Sequence, residues 1–320
     1  PYEKRLHGQS HPVVRRLFEI MEAKQSNLGF SSNCTSMTRL EAIIEQIGPH
    51  IVILKINSEC MPGWRKTYPE RLKEMATKHQ FLLCEDRKFV DITAANQLFN
   101  SVFKMLNWAD FITATILCGQ GCISGLKLAI AEKGRQDAVG LIILAEAACY
   151  AAFTHGHYTR QCIRIAKHYP EAVLGFIALG KPTEDNETDF VTFATDIDLH
   201  RERDGYTLCQ TPETAIRRGA DVIFVGKALN LPELIEHQDQ VDQLKQLVRG
   251  YQTQGWNAYE KVLAEQAAPY RGNPYVIQAG PYVVSSGQAA EEWEQGVQAG
   301  FGQRGYPTHN NSQGPAPAPR

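Results

Sequence analysis

The sequence predicts one (β/α)8 barrel of the TIM-barrel class, and three observations support this fold. Eight short apolar segments have the length and composition of buried strands. Amphipathic segments lie between most of them, and alternating strands and helices form a parallel sheet. The chain has 320 residues, 43% of them hydrophobic, so it can bury one large core.

The individual elements follow from the spacing of the apolar residues. Each predicted strand is a short β-compatible run, and each predicted helix carries apolar residues on one face. In such a barrel the chemistry lies at the carboxyl ends of the strands. The predicted strands are Leu28–Ser31, His50–Lys55, Phe81–Glu85, Phe111–Leu117, Gly140–Glu146, Ala172–Leu179, Asp189–Thr195 and Asp221–Gly226. The predicted helices include Thr38–Gln46, Pro69–Lys78 and Ile123–Lys133.

The composition of the chain changes near its C-terminus. From about Glu265 the sequence is rich in Ala, Gly, Pro, Gln and Ser, with little helical or strand periodicity. A segment of this composition buries too little apolar surface to order itself. We therefore expect a barrel domain over residues 1–264 and a partly disordered extension over residues 265–320.

Charge and hydropathy exclude several classes of partner. The formal net charge of −2 gives no reason to expect nucleic acid or an anionic membrane as a partner. The longest apolar stretch, residues 140–153, contains Glu146 and is too short to cross a bilayer. No charged segment followed by an apolar one opens the sequence, so no secretory signal is predicted.

The cysteines and histidines favour a reduced, cytoplasmic protein. The eight cysteines form no C-x-x-C motif, and several lie in apolar runs, where cysteine behaves as a small hydrophobe. Free thiols fit this pattern better than a disulfide framework does. The pair His155-Gly-His157 has no cysteine or acidic residue beside it. It predicts a turn before a helix rather than a metal site.

The strand predicted at Phe81–Glu85 runs directly into a group of charges. Asp86 and Lys88 follow the strand, and Asp91 comes three residues later. Charges at the end of a buried strand are costly unless they pair or face a cleft. By itself, an Asp-x-Lys-x-x-Asp pattern is most often a solvated loop. Here, however, Lys55 ends the preceding predicted strand, which favours a functional site.

This segment resembles the catalytic motif of orotidine 5′-phosphate decarboxylase, specifically of its fungal form. That family also has a lysine at the end of the preceding strand. Further segments similar to the family follow in the family order, and the resemblance extends from about His11 to Ala264. These segments are His11–Phe18, Ala23–Leu28, Gly125–Lys127, Gly140–Glu146, Gly156–Thr159, Gly175–Ile177, Ala220–Gly226 and Gly255–Tyr259. The resemblance implies a decarboxylase that uses neither a cofactor nor a metal.

The resemblance also implies four catalytic residues, all of which are retained: Lys55, Asp86, Lys88 and Asp91. Loss of CO2 leaves a carbanion, which needs a nearby cation and a proton donor. Lys88 would stabilise and protonate the carbanion, while Lys55 and Asp86 would orient it. The lysines keep the aspartates ionised, since opposite charges favour the charged form. In the family, the residue that matches Asp91 reaches the neighbouring subunit's site, which implies a homodimer with shared active sites.

Three positions that would contact the substrate differ from the family pattern. Asn33 stands where the family has a ribose-binding aspartate, and Asn57 stands where it has a histidine near the ribose. Ala148 replaces a hydroxyl residue that reads the pyrimidine edge, and alanine offers no polar side-chain atom. These changes predict an altered substrate.

The positions that would hold the substrate phosphate are altered most. Cys209 stands where the family has a tyrosine, and Gly226-Lys227 replaces a Gly-Arg pair, whose arginine makes a two-pronged contact that lysine cannot make. Asp196 and Asp198 add two carboxylates, which repel a phosphate. The sequence therefore predicts a small carboxylic acid without a phosphate as the substrate, as in a specialised biosynthetic pathway.

Three other interpretations stay open. The chain could be an ordinary orotidine 5′-phosphate decarboxylase that makes UMP in an unusual pocket. It could be a catalytically silent scaffold or interaction protein, although buried charges are costly to retain without a use. It could also belong to the metal-dependent branch that shares the Asp-x-Lys-x-x-Asp motif, with Glu59 or Glu85 as a ligand of Mg²⁺.

Overall fold

A computed structural model describes residues 1–8, 11–91, 101–183, 189–200, 207–230 and 237–267. By contacts between Cα atoms the chain divides into two units, Pro1–Gly280 and Pro281–Arg320. All described residues belong to the first unit. The predicted C-terminal extension lies outside the described residues from residue 268 onwards.

Eight parallel strands close into a barrel, which confirms the predicted fold class. Each strand pairs with the next in the chain, and the eighth pairs with the first. Short runs of β-branched and aromatic residues form these strands, and most are buried on both faces because helices cover the outside. The strands are β1 Leu28–Ser31, β2 Ile53–Ile56, β3 Leu82–Phe89, β4 Phe111–Ala114, β5 Gly140–Leu144, β6 Val173–Ile177, β7 Val191–Ala194 and β8 Val222–Val225.

The helices of the described residues precede the barrel, connect its strands and follow it. Their apolar faces are buried, as in α3, where a serine N-cap precedes a helix with buried residues at helical spacing. No helix in the described part of the chain is long and apolar enough to span a membrane. The α-helices are α1 Tyr2–Gly8, α2 Pro12–Lys24, α3 Met37–Ile47, α4 Tyr68–His79, α5 Gln120–Glu132, α6 His157–His168, α7 Pro212–Arg217 and α8 Gln238–Ala267. The 3-10 helices are Gly48–His50, Ser58–Cys60, Met105–Asn107 and Lys227–Leu229.

Two predictions about local structure can be compared with these elements. The sequence His155-Gly-His157 forms a turn that leads into α6, as predicted, with Gly156 at a φ of 58°. Helix α8 continues to Ala267, three residues past the predicted end of the barrel domain at residue 264.

Aromatic side chains fill the inside of the barrel. The rings of Phe111 on β4 and Phe224 on β8 both contact Phe193 on β7, with centroids 5.7 and 6.0 Å apart. Because β4 and β7 are not neighbours in the sheet, these rings meet across the interior. A Cβ on Gly29 of β1 would lie 2.6 Å from the Phe224 ring, so the ring occupies the space left by the glycine. The barrel is therefore a packed core rather than a pore.

Lys24, the last residue of α2, links the segments that precede β2 and β3 through hydrogen bonds. Its Nζ donates to the carbonyl oxygens of Gly48 at 2.9 Å, Ile51 at 2.7 Å and His79 at 2.6 Å. These residues precede β2 and β3. An ammonium group has three protons, so this site satisfies all of them.

We expect Lys24→Met to destabilise the barrel by about 3 kcal/mol, because hydrogen bonds to a charged group contribute about 1.5–3 kcal/mol each and are not fully additive. The matched control is Lys127→Met, since Lys127 pairs with Glu171 on the surface. Loss of such a surface pair costs at most about 1 kcal/mol. Urea unfolding followed by circular dichroism measures both changes. Equal free energies of unfolding for the two variants would contradict the structural role of Lys24.

Candidate active site

The ends of β2 and β3 bring three of the predicted catalytic residues together. Lys55 lies in β2 opposite Cys84 of β3. Strand β3 continues to Phe89, beyond its predicted end at Glu85, and its pairing with β4 skips from Glu85 to Phe89. Asp86 and Lys88 therefore lie in an irregular part of the strand rather than in a loop after it.

Asp86 lies between the two lysines. One of its carboxylate oxygens, Oδ2, accepts a hydrogen bond from Lys55 Nζ, and Oδ1 accepts one from Lys88 Nζ at 2.8 Å. Burial raises the pKa of the Asp86 carboxyl, but the charges of Lys55 and Lys88 outweigh this and lower the pKa to about 2. Asp86 is therefore ionised at neutral pH.

The two lysines differ in exposure. The Lys55 side chain is 7% exposed, and its Nζ lies 5.2 Å from the centroid of the Phe224 ring. The Lys88 side chain is 41% exposed. Lys55 is therefore a fixed buried cation, while Lys88 presents its ammonium group to a ligand. Lys88 also has a φ of 51°, a left-handed conformation that is rare outside glycine.

A pocket lies at the carboxyl ends of the strands, beside this array. Lys55 and Lys88 line one part of it. The rest of the lining is largely apolar, with a few polar groups from the segments that follow β5, β7 and β8, as is common for small-molecule sites. Among the described residues these segments contribute Ala147, Ala148, Cys149, Asp196, Asp198, Thr207, Cys209, Gly226, Lys227 and Ala228.

The structure brings four of the six predicted substrate-binding residues into this pocket. These are Ala148, Cys209, Gly226 and Lys227.

Asn33 and Asn57 do not line the pocket in the described part of the chain. Asn33 is exposed, and its backbone N–H donates to Asn230 Oδ1 at 2.8 Å. The side chain of Asn57 caps a 3-10 helix by accepting from the backbone N–H of Glu59 at 3.1 Å. Contact of these two residues with a substrate stays a prediction.

Asp91, the fourth predicted catalytic residue, is exposed and lies two residues beyond the end of β3. It does not line the pocket formed by the described residues of its own chain. The segment that follows it, residues 92–100, lies outside the described residues.

Two short backbone pairings hold the pocket wall that carries the acidic residues. Cys149 forms an antiparallel bridge with Thr207, and the backbone N–H of Asp198 donates to the Gln210 carbonyl at 2.9 Å. Neither Asp196 nor Asp198 forms an ion pair with Lys227 among the described residues. Asp198 Oδ1 accepts from the backbone N–H of His200 at 2.8 Å, and the carboxylates of Asp196 and Asp198 line the pocket together with the ammonium group of Lys227.

The two glutamates considered as metal ligands have other contacts. Glu85 is fully buried and accepts from the backbone N–H of Ser58 at 3.2 Å, and burial raises its pKa to about 8. Glu59 forms an ion pair with Arg87, at 2.7 Å between Oε2 and Nε. The described residues contain no group of three or more His, Cys, Asp or Glu side chains that could hold a metal ion.

Sequence reasoning missed Thr113, the residue of β4 whose Oγ1 donates to Asp86 Oδ1 at 3.0 Å. The available signal was a hydroxyl residue inside the apolar run Phe111–Ala114. That signal is weak, because only the register between β3 and β4 places Thr113 beside Asp86.

Comparison with known proteins places this chain in a family. Residues 26–231 match the model of the orotidine 5′-phosphate decarboxylase / HUMPS family. An orotidine 5′-phosphate decarboxylase from Rhizopus oryzae is 34% identical over 268 residues, covering 82% of this chain and 97% of that protein. One from Pichia kudriavzevii is 36% identical over 266 residues, covering 81% of this chain and 97% of that protein.

Solved structures show the same fold. A crystal structure of a putative orotidine-monophosphate decarboxylase from Toxoplasma gondii has a TM-score of 0.53 at 13% identity, covering 79% of this chain and 97% of its own. One of a putative orotidine 5′-phosphate decarboxylase from Streptomyces avermitilis has a TM-score of 0.52 at 14% identity, covering 78% of this chain and 96% of its own. At this identity the likeness concerns the fold alone.

Proposed function

We propose a mechanism and a substrate class from the premise that this chain belongs to the orotidine 5′-phosphate decarboxylase / HUMPS family and is a carboxy-lyase, a decarboxylase. The observation that carries the mechanism is the hydrogen-bonded array of Lys55, Asp86 and Lys88. The proposed reaction needs neither a metal nor a cofactor, because the lysines supply the positive charge and the proton.

In the proposed reaction, the substrate carboxylate lies beside the ionised Asp86. The repulsion between the two carboxylates is relieved when the bond to CO2 breaks and its electron pair stays on the substrate carbon. The Lys88 ammonium group, held 2.8 Å from Asp86, stabilises that carbanion and donates a proton to it. The products are CO2 and the protonated substrate carbon, and Lys88 regains its proton from water.

We further propose that the substrate is a small carboxylic acid without a phosphate. Asp196 and Asp198 line the pocket. Among the described residues that line it, Lys227 is the one cation separate from the Asp86 array. Each carboxylate would oppose a phosphate by on the order of 1 kcal/mol or more at moderate effective dielectric. Ala148 and Cys209 line the same pocket and offer a phosphorylated pyrimidine little polar contact.

The second candidate substrate is orotidine 5′-phosphate itself. Its support is the 34–36% identity to relatives described as orotidine 5′-phosphate decarboxylases, over nearly their whole length. Lys227 also keeps one cation in the pocket, and lysine is a capable point charge for a phosphate.

The test is CO2 release from orotidine 5′-phosphate and from a panel of aromatic and unsaturated carboxylic acids, in EDTA and D2O. Turnover of a non-phosphorylated acid, with one deuterium on the carbon that lost CO2, would support the proposal. Efficient turnover of orotidine 5′-phosphate alone would establish the second candidate instead. Activity that appears only when Mg²⁺ is added would contradict the mechanism.

We also propose that the chain forms a homodimer with shared active sites. Asp91 lies outside the pocket of its own chain, as a residue donated to a partner would. Asp91 follows β3, and two exposed apolar side chains lie nearby in the sequence or on the neighbouring strand. Val90, just beyond β3, is 38% exposed, and Leu117, just beyond β4, is 69% exposed. A second copy would cover such residues.

If the sites are shared, two inactive variants should restore each other's activity. In an equal mixture of Lys88→Ala and Asp91→Ala chains, half of the dimers are mixed, and one of their two sites is intact. We expect up to about a quarter of wild-type activity after subunit exchange. Either variant alone is the control. A chain that is monomeric at micromolar concentration in ultracentrifugation, or a mixture that stays inactive, would exclude shared sites.

Two further proposals concern location and layout. The eight cysteines are all free, which supports a reducing compartment such as the cytoplasm. The Rhizopus oryzae protein is covered over 97% of its length by only 82% of this chain. This supports a C-terminal extension, residues 265–320, added to a barrel domain over residues 1–264.

A further inference from the structure

Thr113 contacts the catalytic array from β4 and is fully buried. Its Oγ1 accepts a hydrogen bond from the backbone N–H of Lys88 at 2.8 Å and donates one to Asp86 Oδ1 at 3.0 Å. The Glu85 carbonyl lies farther from Oγ1, at 3.4 Å. A hydroxyl group has one proton to donate, and the shorter contact to the charged carboxylate takes it.

The backbone of Lys88 needs this contact. Pairing between β3 and β4 skips from Glu85 to Phe89, so Lys88 has no partner residue in the ladder. Its φ of 51° is a conformation that costs free energy in a residue other than glycine and persists only where neighbouring groups hold it. The hydroxyl of Thr113 gives the Lys88 N–H its acceptor in this conformation.

The same hydroxyl also contacts the carboxylate that holds the ammonium group of Lys88. Asp86 Oδ1, which accepts from Thr113, also accepts from Lys88 Nζ at 2.8 Å. The contacts therefore close a ring: Lys88 N–H to Thr113, Thr113 to Asp86, and Lys88 Nζ to Asp86. One buried hydroxyl thus contacts both the backbone of Lys88 and the carboxylate oxygen that its ammonium group meets.

We propose that Thr113 is a positioning residue, which places the Lys88 ammonium group for protonation of the carbanion by closing this hydrogen-bonded ring. The inference rests on the proposed role of Lys88 as the proton donor. It assigns a role to a residue on β4, outside the Asp-x-Lys-x-x-Asp segment.

The matched control is two residues further along the chain, just beyond β4. Thr115 is 5% exposed, and its Oγ1 is buried without a hydrogen-bond partner among the described residues. Thr115→Val therefore makes the same chemical change in a similar environment without breaking a contact. Thr113→Val removes the hydroxyl with little change of shape, and Thr113→Ser keeps it.

The first measurement needs no substrate. Trinitrobenzenesulfonate labels amines, and mass spectrometry compares labelling of Lys88 with that of the exposed Lys73 in the same sample. Thr113→Val removes two contacts of the ring and leaves the direct contact between Lys88 Nζ and Asp86 without their support. We expect this contact to loosen and labelling of Lys88 at pH 8 to speed up at least about threefold. Thr113→Ser and Thr115→Val should stay close to wild type. If Thr113→Val does not fold, Thr113→Ala takes its place.

The second measurement is kinetic, with whichever acid releases CO2. A misplaced proton donor lowers kcat by about 10–100-fold while KM changes little, because the contact is made in the transition state. Wild-type labelling in Thr113→Val, or equally fast labelling in Thr115→Val, would overturn the proposal. Labelling decides this even if no tested acid is turned over, so failure of the proposed reaction would be seen separately.

Discussion

Replacing Lys88 with alanine is expected to reduce kcat/KM for decarboxylation at least about a thousandfold. General acid catalysis contributes about 10²–10⁴-fold, and stabilisation of developing charge adds to this. The change also leaves the ionised Asp86 with Lys55 as its remaining cation. Circular dichroism should show a folded protein, because the Lys88 side chain is 41% exposed and its loss leaves no large cavity.

Two neighbouring variants sharpen this experiment. Lys88→Arg keeps the positive charge but provides a group that does not give up its proton, so we expect activity to fall about a hundredfold. Arg87→Ala is the matched control, because Arg87 pairs with Glu59 and does not line the pocket. Its activity should stay near that of wild type. A Lys88→Ala enzyme that kept more than about a tenth of wild-type activity would exclude Lys88 as the proton donor.

Uridine 5′-phosphate is expected to bind this protein at least about a thousandfold more weakly than it binds a relative that makes it. Loss of the tyrosine hydroxyl and of one arginine N–H contact to the charged phosphate costs about 1.5–3 kcal/mol each, and repulsion by Asp196 and Asp198 adds on the order of 1 kcal/mol each. Together these terms reach the roughly 4 kcal/mol that a thousandfold change in Kd requires. The positions predicted to differ from the family pattern, Ala148, Cys209 and Lys227, all line the pocket. Isothermal titration calorimetry measures the affinity, with the Rhizopus oryzae decarboxylase as the control.

The carboxylates of Asp196 and Asp198, which line the pocket, allow a second titration with uridine 5′-phosphate. In the double variant Asp196→Asn and Asp198→Asn, removal of two repelling charges should strengthen uridine 5′-phosphate binding about tenfold or more at low salt. Adding Lys227→Arg should strengthen it further, because arginine contacts a phosphate with two N–H groups. Micromolar binding by the unchanged protein, or growth of a pyrimidine auxotroph that carries it, would restore orotidine 5′-phosphate as the substrate.

The barrel and the charged segment could be predicted because the signal for each comes from residues that are close together in the sequence. Eight apolar runs have strand length, and Asp86 and Lys88 follow one of them with charges that would be costly without a use. The conformation of the array could not be predicted. It depends on the irregular register between β3 and β4, which brings Thr113 to Asp86 from 27 positions away. Local periodicity carries no information about such a register.

The predicted substrate-binding residues also fall into two groups, those that the structure places in the pocket and those that it does not. Ala148 and Lys227 lie in the segments after β5 and β8, at the carboxyl ends of the strands where the pocket forms. Asn33 and Asn57 also follow strands, but their backbone or side-chain groups contact Asn230 and Glu59 instead. Those local contacts depend on turn geometry, which the apolar pattern does not determine.

The buried Glu85 links folding to proton uptake. With its pKa raised by burial to about 8, this carboxyl keeps its proton in the folded chain at pH 7, whereas an unfolded chain with an ordinary value near 4.5 releases it. Glu85 therefore takes up a proton as the chain folds near neutrality, a proton that the formal net charge of −2 does not count. Between about pH 4.5 and 8, this group makes the fold less stable as the pH rises.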